Sequence, residues 1–155
     1  MKEADAPAIA LYPHLDCGGL DLDWLCAAAQ HAVRLCLDAP GPGGAALPQL
    51  DEIEVSLVDD ETIAQVHAEF MDDPTPTDVI TFQHGELLVS IETARREGPG
   101  HGNSAEAETL LYIVHGLLHL NGHDDLAEPD RSAMHREQDA ILARLLAVGP
   151  VPADP

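Results

Sequence analysis

The apolar positions along the chain follow two different periods, which predicts a mixture of short strands and helices. Apolar runs, or apolar residues that alternate with polar ones, are typical of strands and occur at residues 9–12, 53–57, 79–82 and 87–91. Pro13 ends the first run, so we expect it at an edge of a sheet. A tight turn at His84-Gly85 separates the last two runs, which predicts an antiparallel hairpin.

Apolar residues three and four apart predict four longer helices. Because Asp, Asn and Ser cap helix N-termini, these helices are expected to begin at Asp21 or Asp23, at Asp59 or Asp60, at Asn103 or Ser104, and near Pro129. The inward face of the last helix, which Gly149-Pro150 should end, comprises Met134, Gln138, Ile141, Leu142 and Leu145. Between the elements we expect a surface connection at 39–48, a helical turn at 92–97 and a flexible glycine loop at 98–103.

The third of these helices carries a pattern of metal ligands. His115 and His119 are four residues apart, so both imidazoles can face one cation from a single face of the helix. Gly122 is expected to turn the chain back, which would bring Asp125 to the same ion as a third ligand; His123 is the rival third ligand. Three protein ligands and one open position are typical of catalytic zinc.

A histidine on an apolar helix is more often a packed core residue than a ligand. Here two imidazoles lie in an apolar segment where each needs a polar partner, which favours the metal. Gly116 stands where a zinc protease of the His-Glu-x-x-His type has its catalytic glutamate, which argues against peptide hydrolysis. A glycine inside a helix also predicts a close approach by another backbone or by a substrate.

Composition and charge narrow the classes of protein. The 155 residues are enough for one domain, in which 149–155 are expected to fray. With 28 acidic and 7 basic residues the formal charge is −21, so a nucleic acid could make only local contacts. Three cysteines without Cys-x-x-Cys spacing predict a reducing compartment, and with no signal-like or membrane-spanning run we expect a soluble, intracellular protein.

Several motifs resemble those of the YbeY family, bacterial endoribonucleases and ribosomal-RNA maturation factors. The segment 115–124 is similar to the family's His-Gly-x-Leu-His-Leu-x-Gly-Tyr-Asp-His, and residues 77–82 resemble its Thr-Asp-Val-Leu-Ser-Phe. Gly85-Glu86-Leu87 is similar to its Gly-Asp-Ile strand. The resemblance covers most of the length and implies an α+β fold: one domain over 1–155, with a small mixed β-sheet packed with helices and a zincin-like metal-binding helix.

The sequence departs from the family pattern at two places. Asp125 stands where the family has its third zinc histidine, and His123 stands where it has tyrosine. A carboxylate ligand lowers the net charge of the site, so we expect slower hydrolysis or preference for another metal. Met71 follows Phe70 where the family usually has an arginine expected to hold phosphate, and the only adjacent basic pair in the chain is Arg95 and Arg96.

The resemblance implies a zinc-dependent, cytoplasmic endoribonuclease that cleaves single-stranded RNA in ribosomal-RNA maturation and ribosome biogenesis. We expect one Zn²⁺ per chain on His115, His119 and Asp125, and ribosomal RNA and small-subunit components as partners, without DNA or membrane. His123 is a candidate proton shuttle, and Asp78 or Asp124 a candidate to orient a zinc histidine. The alternatives are a non-enzymatic ribosome assembly factor, with a structural metal and a basic ribosomal protein as its partner, and a small-molecule hydrolase.

Overall fold

The computed structural model describes residues 6–148, so the predicted fraying of 149–155 and the predicted helix end at Gly149-Pro150 lie outside the described residues. The described part of the chain forms four strands and five α-helices. The strands are β1 Ala8–Pro13, β2 Glu52–Val58, β3 Val79–Phe82 and β4 Glu86–Ser90. The helices are α1 Leu22–Leu37, α2 Asp60–Met71, α3 Ile91–Glu97, α4 Ala105–Leu120 and α5 Asp130–Val148.

The four strands form one mixed sheet in the order β1-β2-β4-β3. The pairs β1–β2 and β2–β4 are parallel, because a helix-containing crossover joins the strands of each pair. The predicted hairpin is confirmed: β3 and β4 are antiparallel, and the Gly85 N–H donates to the Phe82 carbonyl in the turn. Both β1 and β3 lie at edges of the sheet, and the predicted α+β class with a small mixed sheet is confirmed.

Each face of the sheet has its own apolar core. The larger core lies between the sheet and α1, α4 and α5, and it includes Leu25, Val55, Leu87, Ile113 and Leu142. A smaller core, with Val58, Ile63, Ile80 and Leu88, lies beneath α2. Since α4 buries residues on nearly every side, it is the central helix of the fold. No helix within residues 6–148 is long and apolar enough to cross a membrane.

The helix N-termini resolve the pairs of caps that the sequence left open. Asp21, Asp59 and Ser104 are the N-caps, and each side chain accepts a hydrogen bond from a backbone N–H of the first turn. The rival candidates Asp23 and Asp60 lie inside the first turns instead, where an acidic side chain interacts favourably with the helix dipole.

The predicted end of β4 and the predicted loop at 98–103 differ from the structure. Ile91 was expected to end a strand but begins α3, because the Ser90 hydroxyl caps that helix through the Thr93 N–H. The predicted flexible loop at 98–103 contains a 3-10 helix, Gly98–His101, in which Pro99 fixes the backbone and the Asn103 N–H donates to the Gly98 carbonyl. This segment therefore contains regular structure that its glycines did not predict.

Candidate metal centre

The C-terminal half of α4 carries the two histidines of the predicted site. His115 and His119 lie one turn apart, and their Nε2 atoms are 3.1 Å from each other. The carboxylate of Asp125 completes the group, with Oδ2 3.2 Å from Nε2 of His115 and Oδ1 3.5 Å from Nε2 of His119. All three side chains are between one fifth and one third exposed, so the group is accessible from solvent. We call these three residues the His-His-Asp cluster.

The turn after α4 brings Asp125 back to the two histidines. Gly122 has a φ of 93°, which a glycine adopts without steric cost. A Cβ at this position would lie 2.8 Å from the carbonyl oxygen of Gly43, so the turn also needs a residue without a side chain. The Gly41 and Gly43 N–H groups donate to the carbonyls of Asn121 and Gly122. The connection at 39–46 therefore supports the turn that positions Asp125.

Each histidine of the cluster has a hydrogen-bond partner for its other ring nitrogen. Nδ1 of His119 donates to the carbonyl of His123 at 3.2 Å, and Nδ1 of His115 donates to Oε1 of Gln138 at 2.6 Å. A carbonyl oxygen can only accept, so the proton lies on Nδ1 and the lone pair of each Nε2 points toward Asp125. Partners of this kind orient metal-ligating imidazoles in proteins.

His119 favours its neutral form because its pKa is lowered. Burial, with a smaller contribution from the neighbouring His115, lowers the pKa of His119, and the opposing effect of Asp125 does not reverse this. The neutral ring of His119 brings the lone pair of its Nε2 to 3.1 Å from Nε2 of His115 and to 3.5 Å from a carboxylate oxygen of Asp125. A cation between these atoms would relieve that repulsion.

The spacing of the donor atoms fits a small divalent ion. Tetrahedral zinc with ligands about 2.1 Å away places the ligand atoms about 3.4 Å apart. The three observed separations are 3.1, 3.2 and 3.5 Å. In the described part of the chain this is the one group of three or more such side chains that could hold a metal ion. Three protein donors leave the fourth position of a tetrahedral site open.

The other predicted site residues lie around the cluster rather than in it. His123, the rival third ligand, is buried, and its Nε2 donates to the Ala39 carbonyl at 2.6 Å. Asp124 is exposed and accepts a hydrogen bond from the Leu126 N–H. Asp78 accepts one from the Val79 N–H and lies beside the cluster. Neither aspartate bonds a ring nitrogen of the cluster, since Gln138 and the His123 carbonyl occupy those positions.

Gln138 is the residue of this site whose contact the sequence did not predict. It lies on α5 and belongs to the face that the apolar pattern turns inward between Met134 and Leu142. An amide on an inward face needs a polar partner, so the position of Gln138 was the sequence signal for this contact. The close approach expected at Gly116 comes from side chains rather than from another backbone or a substrate. A Cβ at this position would lie 2.8 Å from Leu87 and 3.1 Å from Thr81.

Two cavities meet at the cluster. The edge cavity, about 330 Å³, runs along β3 and is lined by Met71, Thr81 and all three cluster residues. The helical cavity, about 500 Å³, lies between the segment at 76–78 and helices α3, α4 and α5. Thr77, Asp78 and His115 line both cavities, so a long ligand could pass from one to the other beside the cluster.

Together, the fold and the cluster define a class: an α+β protein with a candidate metal site in an open cleft at the end of a buried helix. The model of the family described as Endoribonuclease YbeY matches residues 26–146. The chain therefore belongs to the YbeY family, as its motifs predicted.

Individual relatives agree with this assignment. The chain is 40% identical over 100 residues to Endoribonuclease YbeY of Rhodopirellula baltica, an alignment that covers 58% of the chain and 52% of the relative. It is 41% identical over 91 residues to Endoribonuclease YbeY of Protochlamydia amoebophila, covering 52% of the chain and 61% of the relative. The chain thus spans between one half and two thirds of the length of these two curated relatives.

A solved structure shares the fold. The solution structure of TM1509 from Thermotoga maritima matches 95% of this chain and 97% of its own length, with a TM-score of 0.60 and 20% sequence identity. At this identity the similarity concerns the arrangement of strands and helices.

Proposed function

We propose that the protein is a zinc-dependent endoribonuclease that cleaves single-stranded RNA during ribosomal-RNA maturation and ribosome biogenesis in the cytoplasm. The observation that carries the proposal is the convergence of three metal-ligand atoms in a cleft, with the fourth tetrahedral position open. The relatives' printed name, Endoribonuclease YbeY, supports the reaction class. The proposed partners are ribosomal RNA and components of the small ribosomal subunit.

In this proposal the residues have distinct roles. His115, His119 and Asp125 would hold one Zn²⁺, which when bound supplies a Lewis acid for the phosphoryl oxygen and lowers the pKa of water. Gln138 and the His123 carbonyl select the tautomer of each imidazole that carries its proton on Nδ1 and presents Nε2. Asp78 lines both cavities, and we assign it the role of proton acceptor beside the scissile phosphate.

The placement of His123 and Asp124 changes the roles proposed for them. The His123 ring donates to Ala39 and is buried, so its contribution is structural and passes through its backbone carbonyl. The Asp124 carboxylate caps the following turn, and its negative charge acts on His119 from outside the cluster. A proton shuttle by His123 would require its ring to leave the Ala39 carbonyl.

The test is cleavage of single-stranded RNA by zinc-loaded protein, with His119→Ala and His84→Ala prepared in the same way. His119→Ala removes a cluster donor, so we expect loss of zinc and at least about a hundredfold loss of cleavage. His84 is 70% exposed in the hairpin turn, so His84→Ala should match the wild type. Equal cleavage by wild type and His119→Ala would contradict the proposed site.

The formal charge of −21 favours one second candidate function, that of a ribosome assembly factor that binds a basic ribosomal protein. In this function the metal would be structural. Structural zinc usually has four protein ligands, whereas this cluster provides three. Zinc bound by the wild type without any cleavage of RNA would favour this second function.

A further inference from the structure

The helical cavity has the features of a ligand site next to the cluster. Its volume of about 500 Å³ lies within the range typical of small-ligand sites, about 300–1,000 Å³. His115 and its partner Gln138 both line it, so a group bound there lies directly beside the cluster. The side chains that line it are mostly polar, which favours a hydrogen-bonding ligand over an apolar one.

One cationic side chain faces this cavity. Arg96 on α3 lines it, whereas the neighbouring Arg95 donates from Nη2 to the carbonyl of Gly18 and lines neither cavity. Among the residues that the structure describes, Arg96 is the one lysine or arginine that lines the edge cavity or the helical cavity. The edge cavity has Met71 on its wall, a side chain that cannot bind phosphate.

The guanidinium of Arg96 is held in place but not saturated. Nη1 donates to Oδ2 of Asp60 at 2.9 Å, and Nη2 donates to Oγ1 of Thr93 at 3.2 Å. Each terminal nitrogen carries a second N–H that remains for another acceptor. The side chain is 55% exposed, so an anion can reach this fork.

Asp60 acts as the anchor of this fork. Its Oδ1 accepts hydrogen bonds from the hydroxyls of Ser90 and Thr93, at 2.6 and 2.7 Å. Burial alone would raise the pKa of Asp60, but these bonds and Arg96 outweigh it and hold that pKa below its ordinary value. Asp60 therefore stays charged at neutral pH and keeps Arg96 oriented before any ligand arrives.

The acidic groups of the cavity have partners of their own. Glu108 is fully buried, and its two oxygens accept hydrogen bonds from Nδ1 of His101 and from Asn103, at 2.8 and 2.9 Å. Glu97 lies 3.8 Å from Nε of Arg96. Asp78, the third acidic side chain of the lining, accepts hydrogen bonds from the Thr77 hydroxyl and the Val79 N–H. The terminal nitrogens of Arg96 are therefore the guanidinium donors that an anionic ligand can meet in this cavity.

We propose that the helical cavity binds a backbone phosphate of single-stranded RNA adjacent to the one at the cluster, and that Arg96 supplies the guanidinium for it. This inference rests on the proposed function and names the subsite that positions its substrate. Guanidinium N–H groups make strong, charge-assisted hydrogen bonds to phosphate oxygens, and the bonds to Asp60 and Thr93 fix the direction in which the remaining N–H groups of Arg96 point. Arg96 is a positioning residue in this proposal, since it would bind a phosphate other than the one at the cluster.

The matched variants Arg96→Gln and Arg95→Gln test the subsite, because each removes one charge from the same helix. Binding of a 2′-O-methyl single-stranded oligoribonucleotide to zinc-loaded protein is measured by fluorescence anisotropy over a series of salt concentrations. We expect Arg96→Gln to weaken binding about tenfold and to lower the slope of log affinity against log salt by about 0.7. Arg95→Gln should leave both unchanged.

A third variant, Arg96→Lys, keeps the charge and the pair with Asp60 but lacks the fork, so it should weaken binding about threefold with the salt slope retained. Unfolding midpoints of all three variants show whether each is folded. If Arg96→Gln does not fold, the binding of Arg96→Lys decides the test. Equal binding by the two glutamine variants, or a loss in both, would overturn the subsite.

Cleavage of an unmodified oligonucleotide separates this inference from the proposed function. Cleavage by the wild type, with no difference between Arg96→Gln and Arg95→Gln in binding, would refute the subsite alone. Binding that depends on Arg96 without cleavage by the wild type would refute the nuclease and keep the subsite. If the wild type neither binds nor cleaves, both are refuted.

Discussion

At the scale of single residues, the cluster depends on groups that bond its histidines without being candidate metal ligands themselves. The imidazole of His115 is directed by Gln138, and that of His119 by a backbone carbonyl. Without these acceptors each ring could place its proton on Nε2 and offer no lone pair. The candidate ligands are therefore two histidines and an aspartate, but the candidate site extends to the residues that orient them.

Gln138 provides the residue-scale prediction. Gln138→Leu removes the acceptor of His115 Nδ1 at similar volume, so we expect zinc affinity to fall about 10- to 100-fold. Gln138→Glu keeps an acceptor oxygen at the same place and should retain affinity. Competition with a chromophoric chelator measures both variants, and a Gln138→Leu protein that binds zinc like the wild type would disprove this role.

At the scale of elements, the site is built where a helix end meets a connection from elsewhere in the chain. The turn after α4 receives hydrogen bonds from residues 41, 43 and 46, and Asn121 Nδ2 donates to the Cys36 carbonyl at the end of α1. These contacts hold the backbone of the turn against another backbone, which explains glycine on both sides. Asp125 reaches the cluster because these contacts set the direction in which the chain leaves the turn.

Gly122 and Gly44 give the prediction at this scale. Gly122→Ala places a Cβ 2.8 Å from the Gly43 oxygen at a φ of 93°, so we expect about 2–4 kcal/mol lower free energy of unfolding. Gly44→Ala, in the same connection, meets no atom within 4 Å and should change stability by less than about 0.5 kcal/mol. Urea unfolding compares them, and equal stability of the two variants would contradict the close approach.

At the scale of the whole molecule, strong negative charge surrounds a site proposed to act on a polyanion. With a formal charge of −21, long-range attraction cannot bring RNA to the cleft. In the proposed function, RNA binding would therefore come from short-range contacts at a cation on the cluster and at Arg96. A divalent ion at the cluster would also offset part of the local negative charge. It should therefore stabilise the folded protein as well as favour binding of the substrate.

Stability in the presence of zinc is the prediction at this scale. Free zinc at a hundredfold excess over its dissociation constant stabilises a protein by about 2.7 kcal/mol, which predicts a rise in Tm of about 5–10 °C. His119→Ala loses one donor of the cluster and should show a much smaller rise. Scanning calorimetry with and without a chelator measures both proteins. An identical shift in the variant would place the stabilising zinc elsewhere.

Much of the fold could be predicted from local patterns. Ile53, Val55 and Leu57 alternate with polar residues because only one face of β2 meets the larger core, and they are fully buried as that pattern requires. The hairpin at His84-Gly85 also followed from local sequence. The end of β4 could not be predicted in this way. An apolar residue such as Ile91 fits the pattern equally well if the strand continues or if Ser90 caps a new helix.

The spacing His115-x-x-x-His119, followed by Gly122 and Asp125, by itself determined that three donors could meet, because helical period and a glycine turn are local properties. Only the tertiary structure decided which neighbours complete the site. The His123 ring turned to the Ala39 carbonyl, Gln138 reached His115 from another helix, and Arg96 rather than Arg95 met the cavity. These outcomes depend on the packing of segments distant in sequence, for which a local pattern carries no signal.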